Sequence, residues 1–436
     1  MSRRQLHIGL SLSPTWLRGA AWRDATSRVE DMFSPAFHLE LAQRAEQAKL
    51  DFLFRPDSLF LDRDALAGSP GFSSLDPLVQ LAGLAQGTRH IGLVTTASTT
   101  FNAPYVVARQ LQSLHWISNG RAGWNIVTSL DGERNFGVET MPGADWRYAR
   151  AAEFTALVRA LWRSYPGDAL LMDREAGRFA DTDRIRPVGF AGRHFAVEGP
   201  LTTPGHPAGP PPLFQAGASP AGRAFAAAVA DAIFASTPDM AAAIALRQDL
   251  RSRARQAGRP EDAIRVLPGL AFVLEAQRAE AHERFHALQG GQSAERRYAF
   301  VQNCLGIDLR PLPHDAPIPA ALVTGIRDNV RSRTHAELLL RLILGENPTI
   351  AELLRRPETS GSGHWQVVGT PDDLADAIAA WFAAGALDGI VALPGTMRSL
   401  ELFLDAVVPR LADQGLFRTA YAASTLAGHL GIAPAA

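Results

Sequence analysis

The chain has 436 residues, of which 47% are hydrophobic and 20% charged, so it can bury a sizeable core and is not globally disordered. Its formal net charge of −1 offers no basic field that would hold a nucleic acid through its phosphates. Cys304 is the one cysteine, which excludes a disulfide or a cysteine-based zinc site within the chain. Lys49 is the one lysine, which argues against chemistry that needs a lysine Schiff base.

The length is compatible with about two or three domains, or with one large α/β barrel that carries insertions. No run of about 18 apolar residues occurs in the chain, as a membrane-spanning helix would require. The N-terminal Met-Ser-Arg-Arg is not followed by the apolar stretch of a signal peptide. We therefore expect a soluble cytoplasmic protein without a membrane partner.

Short apolar segments alternate with helical patterns along the chain. The apolar segments predict eight strands, at residues 7–12, 52–54, 90–96, 122–127, 213–216, 232–235, 264–274 and 389–393. Helices are predicted at residues 37–50, 78–85, 104–117, 146–165, 220–229, 238–256, 372–384 and 400–414. Continuously apolar strands are typical of a parallel sheet that is buried on both faces. The pattern therefore predicts an α/β fold, a closed (β/α)8 TIM-type barrel. A doubly wound open sheet is the alternative, but no G-x-G-x-x-G follows the first strand.

Two stretches interrupt this alternation. Residues 167–212 are rich in glycine, proline and charge, and they predict a loop with a small hairpin around residues 193–197. Residues 275–365 form the longest insertion, directly before the last strand, and include the proline-rich piece 311–319. Insertions in a barrel enzyme lie over the C-terminal face and shape the pocket. We treat residues 1–436 as one barrel domain and interpret 275–365 as a lid, with oligomer contacts as the alternative.

Residues 282–286 read H-E-R-F-H and match the H-E-x-x-H pattern of zinc proteases. No suitably spaced histidine follows that would complete a site of three ligands. The surrounding segment is rich in alanine, glutamate and arginine, which is typical of a solvated helix with charged pairs. We therefore predict no metal site.

Polar residues follow several predicted strands. Asp57 comes directly after the second strand, where a barrel carries site residues, although it could equally cap a helix or pair with Arg55. Residues 95–100 end the third strand with small polar side chains, which suit a self-bonded loop or a surface for a flat ring. Asn125 ends the fourth strand and offers a donor and an acceptor to a heterocycle. Its neighbour Trp124 is predicted to pack in the barrel wall.

The segment from Gly217 to Gly222 resembles a nucleophile elbow but lacks the G-x-S-x-G spacing. Pro220 suits the first position of a helix and Ser219 suits its N-cap, so a helix is predicted to begin here. Free N–H groups at a helix N-terminus after a barrel strand form a phosphate site. Arg223, one turn further on, could add a charged hydrogen bond. A plain helix cap is the alternative.

The segment 120–129, G-R-A-G-W-N-I-V-T-S, resembles the signature of the bacterial luciferase-like flavin-dependent monooxygenases, in the subgroup of the nitrilotriacetate and dibenzothiophene-sulfone monooxygenases. Other segments resemble the same subgroup in the same order: residues 19–23 (G-A-A-W-R), 135–137 (N-F-G), 147–148 (R-Y), 215–219 (Q-A-G-A-S), 368–371 (V-G-T-P) and 415–418 (G-L-F-R). The resemblance spans nearly the whole chain, and its motifs are specific to the subgroup but not to a substrate.

This resemblance implies a barrel that binds reduced FMN supplied by a separate NAD(P)H-dependent flavin reductase. The flavin would react with O2 to give a peroxyflavin that oxygenates a small organic substrate, and we expect a homodimer or a homotetramer. The implied cofactor-binding residues are Asp57, Thr96, Asn125, Tyr148, Gly217, Ala218 and Ser219. Tyr148 and Ser219 would hold the phosphate, and the first three would lie near the isoalloxazine. No catalytic side chain is assigned, because the cofactor supplies the oxidising chemistry.

The sequence departs from the subgroup at three places. One is the loop after Ser129, which is shorter than usual. Ala144 stands where many members have a histidine four places before the tyrosine, and residues 17–19 lack a histidine that many carry before A-A-W-R. One flavin contact and one polar group on the substrate side are therefore in question. Two other functions remain: a deazaflavin-dependent oxidoreductase on the same barrel, and a flavin-binding protein without turnover.

Overall fold

The computed structural model describes residues 4–17, 19–217, 219–289, 294–323, 333–359 and 363–432. The strands within these residues are β1 (His7–Ser11), β2 (Phe52–Arg55), β3 (Gly92–Ser98), β4 (Ala122–Val127), β5 (Leu170–Asp173), β6 (Arg178–Ala180), β7 (Phe190–Ala191), β8 (Ala196–Val197), β9 (Leu213–Ala216), β10 (Ala232–Ala235), β11 (Arg265–Leu274), β12 (Trp365–Gly369) and β13 (Gly389–Pro394).

The α-helices are α1 (Pro35–Gln47), α2 (Arg63–Leu66), α3 (Pro77–Gly87), α4 (Pro104–Ile117), α5 (Ala144–Arg163), α6 (Pro220–Val229), α7 (Met240–Gln256), α8 (Arg278–Gln289), α9 (Ala294–Leu305), α10 (Arg333–Glu346), α11 (Ile350–Arg355), α12 (Pro371–Ala383), α13 (Met397–Leu402), α14 (Val408–Asp413) and α15 (Leu426–His429). A π-helical turn, Phe403–Val407, joins α13 to α14, so the predicted helix 400–414 is divided. Across the described ranges, no helix combines the length and the apolar character needed to cross a membrane.

Eight of the strands form a closed parallel barrel. Their order around the ring is β1, β2, β3, β4, β9, β10, β11 and β13, and β13 pairs with β1. Helices follow most of these strands, as the alternating sequence pattern predicted. The (β/α)8 TIM-type barrel is therefore confirmed. The third strand begins and ends two residues later than predicted, at Gly92 and Ser98, because it continues into the polar residues that we had assigned to its loop.

Aromatic side chains fill much of the barrel interior. Phe52 meets Phe214 edge to face, with ring centroids 5.1 Å apart, and Phe54 packs against Phe234 at the same separation. A Cβ atom at Gly9 would lie 2.2 Å from the Phe52 ring, so a glycine on the neighbouring strand makes room for this side chain.

The C-terminal segment closes the N-terminal end of the barrel. Leu426 belongs to the same buried cluster as Phe52. Arg418 forms an ion pair with Asp51, a fully buried carboxylate that also accepts a hydrogen bond from the backbone N–H of Ile8 at 2.7 Å. Because this end is filled by protein, a ligand of the interior has to enter at the C-terminal edge of the strands.

The two predicted insertions contain more regular structure than the sequence indicated. Residues 167–212 form two short antiparallel hairpins, β5–β6 and β7–β8, and the second is the one predicted around 193–197. Residues 275–365 contain α8 to α11. Their side chains form a separate buried cluster, which includes Tyr298, Val301, Cys304, Leu305, Leu309, Ile318, Leu339, Ile343, Ile350 and Leu353. The longest insertion therefore has a small core of its own.

Strand β12 was not predicted. It follows the long insertion and pairs in parallel with β11 over Leu270–Leu274, beyond the part of β11 that pairs with β10. Residues 275–365 therefore end as a strand that extends the barrel wall. The prediction missed it because a five-residue segment at the end of a long insertion carries too little pattern to distinguish it from a loop.

Candidate functional site

The described residues among the predicted cofactor ligands all lie at the C-terminal edge of the barrel. Thr96 and Asn125 belong to β3 and β4, and Asp57 comes two residues after β2. Gly217 directly follows β9, and Ser219 is the N-cap of α6. Tyr148 lies in the first turns of α5, which begins at Ala144, the position where the subgroup often has a histidine. Ala218 lies outside the described residues.

Thr96 and Asn125 are directly paired in the β3–β4 register. The amide Nδ2 of Asn125 donates a hydrogen bond to Thr96 Oγ1 at 2.9 Å, and both residues are buried, with 2% and 5% of their surfaces exposed. In the described structure the buried Oδ1 of Asn125 has no hydrogen-bond partner. A buried acceptor left unpaired costs about 1–3 kcal/mol. A ring N–H that enters the barrel mouth would recover this free energy.

Trp124, one residue before, faces the opposite side of the strand. It is completely buried and packs against Phe154 and Trp162 of α5, with ring centroids 5.9 and 6.4 Å away. Its indole Nε1 donates to the backbone oxygen of Ala97 at 3.2 Å. The prediction that it packs in the barrel wall is confirmed, and the alternation along β4 then directs Asn125 into the barrel.

The N-terminus of α6 forms a small polar cup. Ser219 Oγ accepts a hydrogen bond from the backbone N–H of Gly222 at 3.2 Å, and Pro220 occupies the first turn, as predicted. The Tyr148 hydroxyl reaches this turn, because a Cβ atom on Gly222 would lie 2.8 Å from it and one on Gly217 would lie 3.4 Å from it. Two glycines therefore allow a phenol to approach a helix N-terminus, where N–H groups and the helix dipole favour an anion.

Gln215 is a candidate ligand that the sequence reasoning did not single out, although it begins the Q-A-G-A-S segment. Its amide Nε2 donates to the backbone oxygen of Ala216 at 3.0 Å and would lie 2.9 Å from a Cβ atom on Gly217. Its buried Oε1 has no partner among the described atoms. Gln215 thus places an unsatisfied polar group beside the same cup.

Arg147 is a second residue that the sequence reasoning left without a role. Its guanidinium donates to the backbone oxygen of Ser129, which links α5 to the loop after β4. Burial lowers the pKa of Arg147, although an arginine stays protonated at neutral pH. Its buried Nε has no hydrogen-bond acceptor in the described part of the chain. The residue that precedes Tyr148 thus carries a positive charge that is held against the loop after β4.

Arg223, predicted to add a charged hydrogen bond at this turn, forms an ion pair with Asp249 of α7. Its guanidinium lies 3.3 Å from that carboxylate. Its contact with a phosphate stays a prediction.

Asp57 is a half-buried carboxylate at the edge of the mouth. Burial raises its pKa, and the negative charge of Asp76 acts in the same direction, whereas the Ser58 N–H and the Arg55 guanidinium oppose the shift. Arg55 Nε donates instead to Gln80 Oε1 at 2.6 Å, and its other hydrogen bonds go to backbone oxygens. Direct pairing with Arg55, one alternative for Asp57, is thus not what the structure shows.

Two other features compete with this edge as a site. The H-E-x-x-H motif lies on α8, where Arg284 forms ion pairs with Asp24 and Glu275. Over the ranges that the structure covers, no group of three or more His, Cys, Asp or Glu residues is arranged to hold a metal. A cavity of about 670 Å³ lies at the other end of the barrel, beside Leu213 and Ala427. Gln112, whose buried Oε1 has no partner among the described atoms, lines that cavity. The predicted cofactor residues and the N-terminus of α6 lie instead at the C-terminal edge.

Comparison with known proteins identifies the family of this chain. The sequence profile of the luciferase-like monooxygenases matches residues 15–388. The chain belongs to the luciferase-like monooxygenase family. It is 35% identical to nitrilotriacetate monooxygenase component A of Aminobacter aminovorans, over 99% of this chain and 97% of that protein. It is 36% identical to dibenzothiophene-sulfone monooxygenase of Rhodococcus erythropolis strain XP, over 99% of this chain and 97% of that protein.

The fold comparison leads to the same family. The crystal structure of riboflavin lyase, described with modified FMN and the substrate riboflavin, superposes with a TM-score of 0.84 at 28% identity and covers 98% of this chain and 96% of that one. This luciferase-like monooxygenase is therefore an enzyme of a flavin-dependent family, with the TIM-type barrel of its relatives. The unpaired Oδ1 of Asn125 and the cup at α6 fit the two ends of a flavin nucleotide.

We predict that Asp57→Asn stabilises the flavin-free protein at about pH 7 and that the gain disappears at about pH 4. Burial raises the pKa of Asp57 in the folded state, so the neutral carboxyl adds to the free energy of unfolding. This contribution is fully present below the ordinary carboxyl pKa and is lost as the pH rises through the raised pKa. Asparagine stays uncharged at all these pH values, so the variant does not lose this stability as the pH rises. The measurement is the midpoint of thermal unfolding across this pH range.

Asp145→Asn is the matched control, because Asp145 is an exposed carboxylate in the first turn of α5. This variant should show no gain at neutral pH. An Asp57→Asn protein that unfolds at the same or a lower temperature than the wild type at about pH 7 would contradict the assigned burial of the charge.

Proposed function

We propose that this chain is the oxygenase component of a two-component system, which binds reduced FMN and uses O2 to oxygenate a small organic substrate. The observation that carries the proposal is the approach of the Tyr148 hydroxyl to the first turn of α6, beside Ser219 and two glycines. A phosphate is the ligand that such a cup favours. A relative of 35% identity is named as component A of its monooxygenase, which supports a separate partner.

In this proposal the chain's own residues bind and orient the cofactor. Ser219, Tyr148 and the N–H groups of α6 hold the phosphate. The Oδ1 of Asn125 accepts a hydrogen bond from the ring, and the contact with Thr96 fixes the orientation of the Asn125 amide. Asp57 lies at the rim, near the ring. When bound, reduced flavin supplies the electrons that activate O2.

We also propose that residues 275–365 cover the mouth. The insertion follows β11 and returns to the barrel through β12, so both of its ends are attached to the wall of the mouth. Inside it, the segment 311–319 is fixed to α11, because the backbone N–H groups of Ile350 and Ala351 donate to Ala316 and His314 at 3.3 and 3.0 Å. A cover of this kind would exclude water from the bound flavin.

The phosphate assignment predicts that Ser219→Asp weakens FMN binding by at least about tenfold, or about 1.4 kcal/mol. Aspartate is a good N-cap, so the helix should persist, but its charge would repel the phosphate. Binding of riboflavin, which has no phosphate, should be unchanged. The two dissociation constants are measured by fluorescence titration.

The control is Thr425→Asp, the same change at the N-cap of α15, at the closed end of the barrel. It should leave both dissociation constants at their wild-type values. Equal losses of FMN and riboflavin binding in Ser219→Asp, or no loss in either, would contradict the assignment of the phosphate to α6.

The two-component proposal predicts that the purified chain oxidises NADH slowly or not at all. Addition of a flavin reductase and FMN should give O2-dependent oxygenation in a panel of sulfones, aminopolycarboxylates and alkanes. Ser219→Asp, which binds FMN poorly, is the control for activity at the flavin site. Rapid NADH oxidation by the chain alone would indicate a one-component enzyme. Oxidation of a substrate by a deazaflavin without O2 would indicate the alternative oxidoreductase.

The proposed cover predicts that replacement of residues 311–319 by a Gly/Ser linker exposes the flavin without releasing it. Iodide should quench the fluorescence of bound FMN more efficiently in this variant, whereas the FMN dissociation constant should stay within about twofold of the wild type. If the variant folds and iodide quenches its bound FMN no more efficiently than in the wild type, the proposed cover is refuted. A role for the insertion in oligomer contacts would then be favoured.

A further inference from the structure

Strand β12 brings one histidine into the wall of the barrel mouth. β10 pairs with β11 as far as Pro268, and β12 pairs with β11 from Leu270 onward, so β12 takes over the wall where β10 ends. His364 is the residue directly before β12 and therefore lies at the junction of these three strands. The insertion thus delivers a side chain to a place that the eight barrel strands alone leave open.

The contacts of His364 place its ring inside the mouth. The imidazole packs over Phe234, with ring centroids 5.2 Å apart and an interplanar angle of 31°. Its Nδ1 lies 3.3 Å from Ser236 Oγ. A Cβ atom on Gly269 would lie 2.5 Å from the same Nδ1, so only glycine at this position of β11 leaves room for the ring. Phe234 on β10, Ser236 directly after β10 and Gly269 on β11 therefore form a seat for one imidazole.

This seat faces the flavin-binding side of the mouth. β11 is four strands away from β3 in a ring of eight, so the two lie on opposite sides of the barrel. Phe234 packs against the interior cluster and is only partly buried, so it points into the barrel. The interior of an eight-stranded barrel is about wide enough for one small ligand. A ring bound to Thr96 and Asn125 therefore has His364 on its other side.

We propose that His364 is the proton donor of the active site, on the substrate side of the flavin; this inference rests on the proposed function. The overall reaction converts substrate, O2 and reduced FMN into oxygenated substrate, oxidised FMN and water. One oxygen atom goes to the substrate, and the other leaves as water. Two of the four electrons that reduce O2 come from the flavin and two from the substrate.

His364 supplies a proton to the oxygen atom that leaves. In this role the ring is the imidazolium, whose Nδ1–H donates to the Ser236 hydroxyl oxygen and whose second proton is on Nε2. The Nε2–H bond breaks as an O–H bond of water forms, and the imidazole recovers a proton released when the reduced flavin is oxidised. In the absence of substrate both oxygen atoms leave as hydrogen peroxide, and their departure needs the same proton. The role can therefore be tested before the substrate is identified.

The first test is spectroscopic and needs no turnover. The chain has 12 histidines, so histidine labelled with carbon-13 at Cε1 gives a countable set of resonances, and that of His364 is identified by its loss in His364→Asn. Addition of oxidised FMN should shift this resonance. The resonance of His206, which lines the cavity at the opposite end of the barrel, should not move. FMN binding without any shift at His364 would refute the proposal.

The second test removes and restores the imidazole. General acid catalysis typically contributes about 10²–10⁴-fold, so His364→Ala should slow the reoxidation of bound reduced FMN by O2 at least about tenfold. Added imidazole should recover much of that rate by occupying the space over Phe234. His206→Ala should show neither the loss nor the recovery. Unchanged reoxidation in His364→Ala, or a loss that imidazole does not restore, would overturn the proposed role.

The FMN dissociation constant separates this inference from the function on which it rests. A wild-type chain that does not bind FMN would refute the proposed function and the role of His364 together. His364→Ala should bind FMN within about twofold of the wild type. A loss of at least about tenfold in affinity would make His364 a flavin ligand and not a proton donor.

Discussion

The closure of the parallel sheet is the constraint on which the site depends. The pairing of β10 with β11, and of β13 with β1, converts eight separate strands into a ring in which all carboxyl ends meet at one edge. Asp57, Asn125 and Ser219 are far apart in the sequence and reach the same opening only because their strands run in the same direction. A parallel barrel thereby separates the residues that stabilise it from those that can bind a ligand.

The two ends of the barrel are chemically different. Near the N-terminal end, aromatic rings and the residues of α15 exclude water, and the buried Asp51 is compensated by Arg418 and a backbone N–H. At the C-terminal edge, Asn125 and Gln215 each leave a buried oxygen without a partner among the described residues. Each unpaired acceptor costs about 1–3 kcal/mol. Both oxygens lie at the edge where the predicted cofactor residues meet, so a ligand that brings its own donors to that edge would recover this free energy.

The sequence was sufficient to predict the barrel and part of the site. Apolar strands alternating with helices predicted the fold. The motifs around Asn125 and Ser219 predicted two binding positions, and both residues lie at the C-terminal edge. Arg147 and Gln215 lie inside recognised motifs, but their unpaired buried atoms follow from packing that no local pattern encodes. His364 gave no signal at all, because its seat on Ser236 joins residues 128 positions apart. Contacts of that range are a property of the closed barrel and not of any segment.

The long insertion, residues 275–365, has a buried core of its own and also ends at a strand of the barrel wall. Its helices pack around their own cluster, so its length and sequence can vary without loss of the main core. Its last residues do not have that freedom, because β12 must pair with β11 and His364 must fit against Gly269. A rearrangement inside the insertion would therefore move the proposed cover, while the strand at its end holds the imidazole in a fixed place. The barrel wall, and not the cover, then sets the geometry on the substrate side of the flavin.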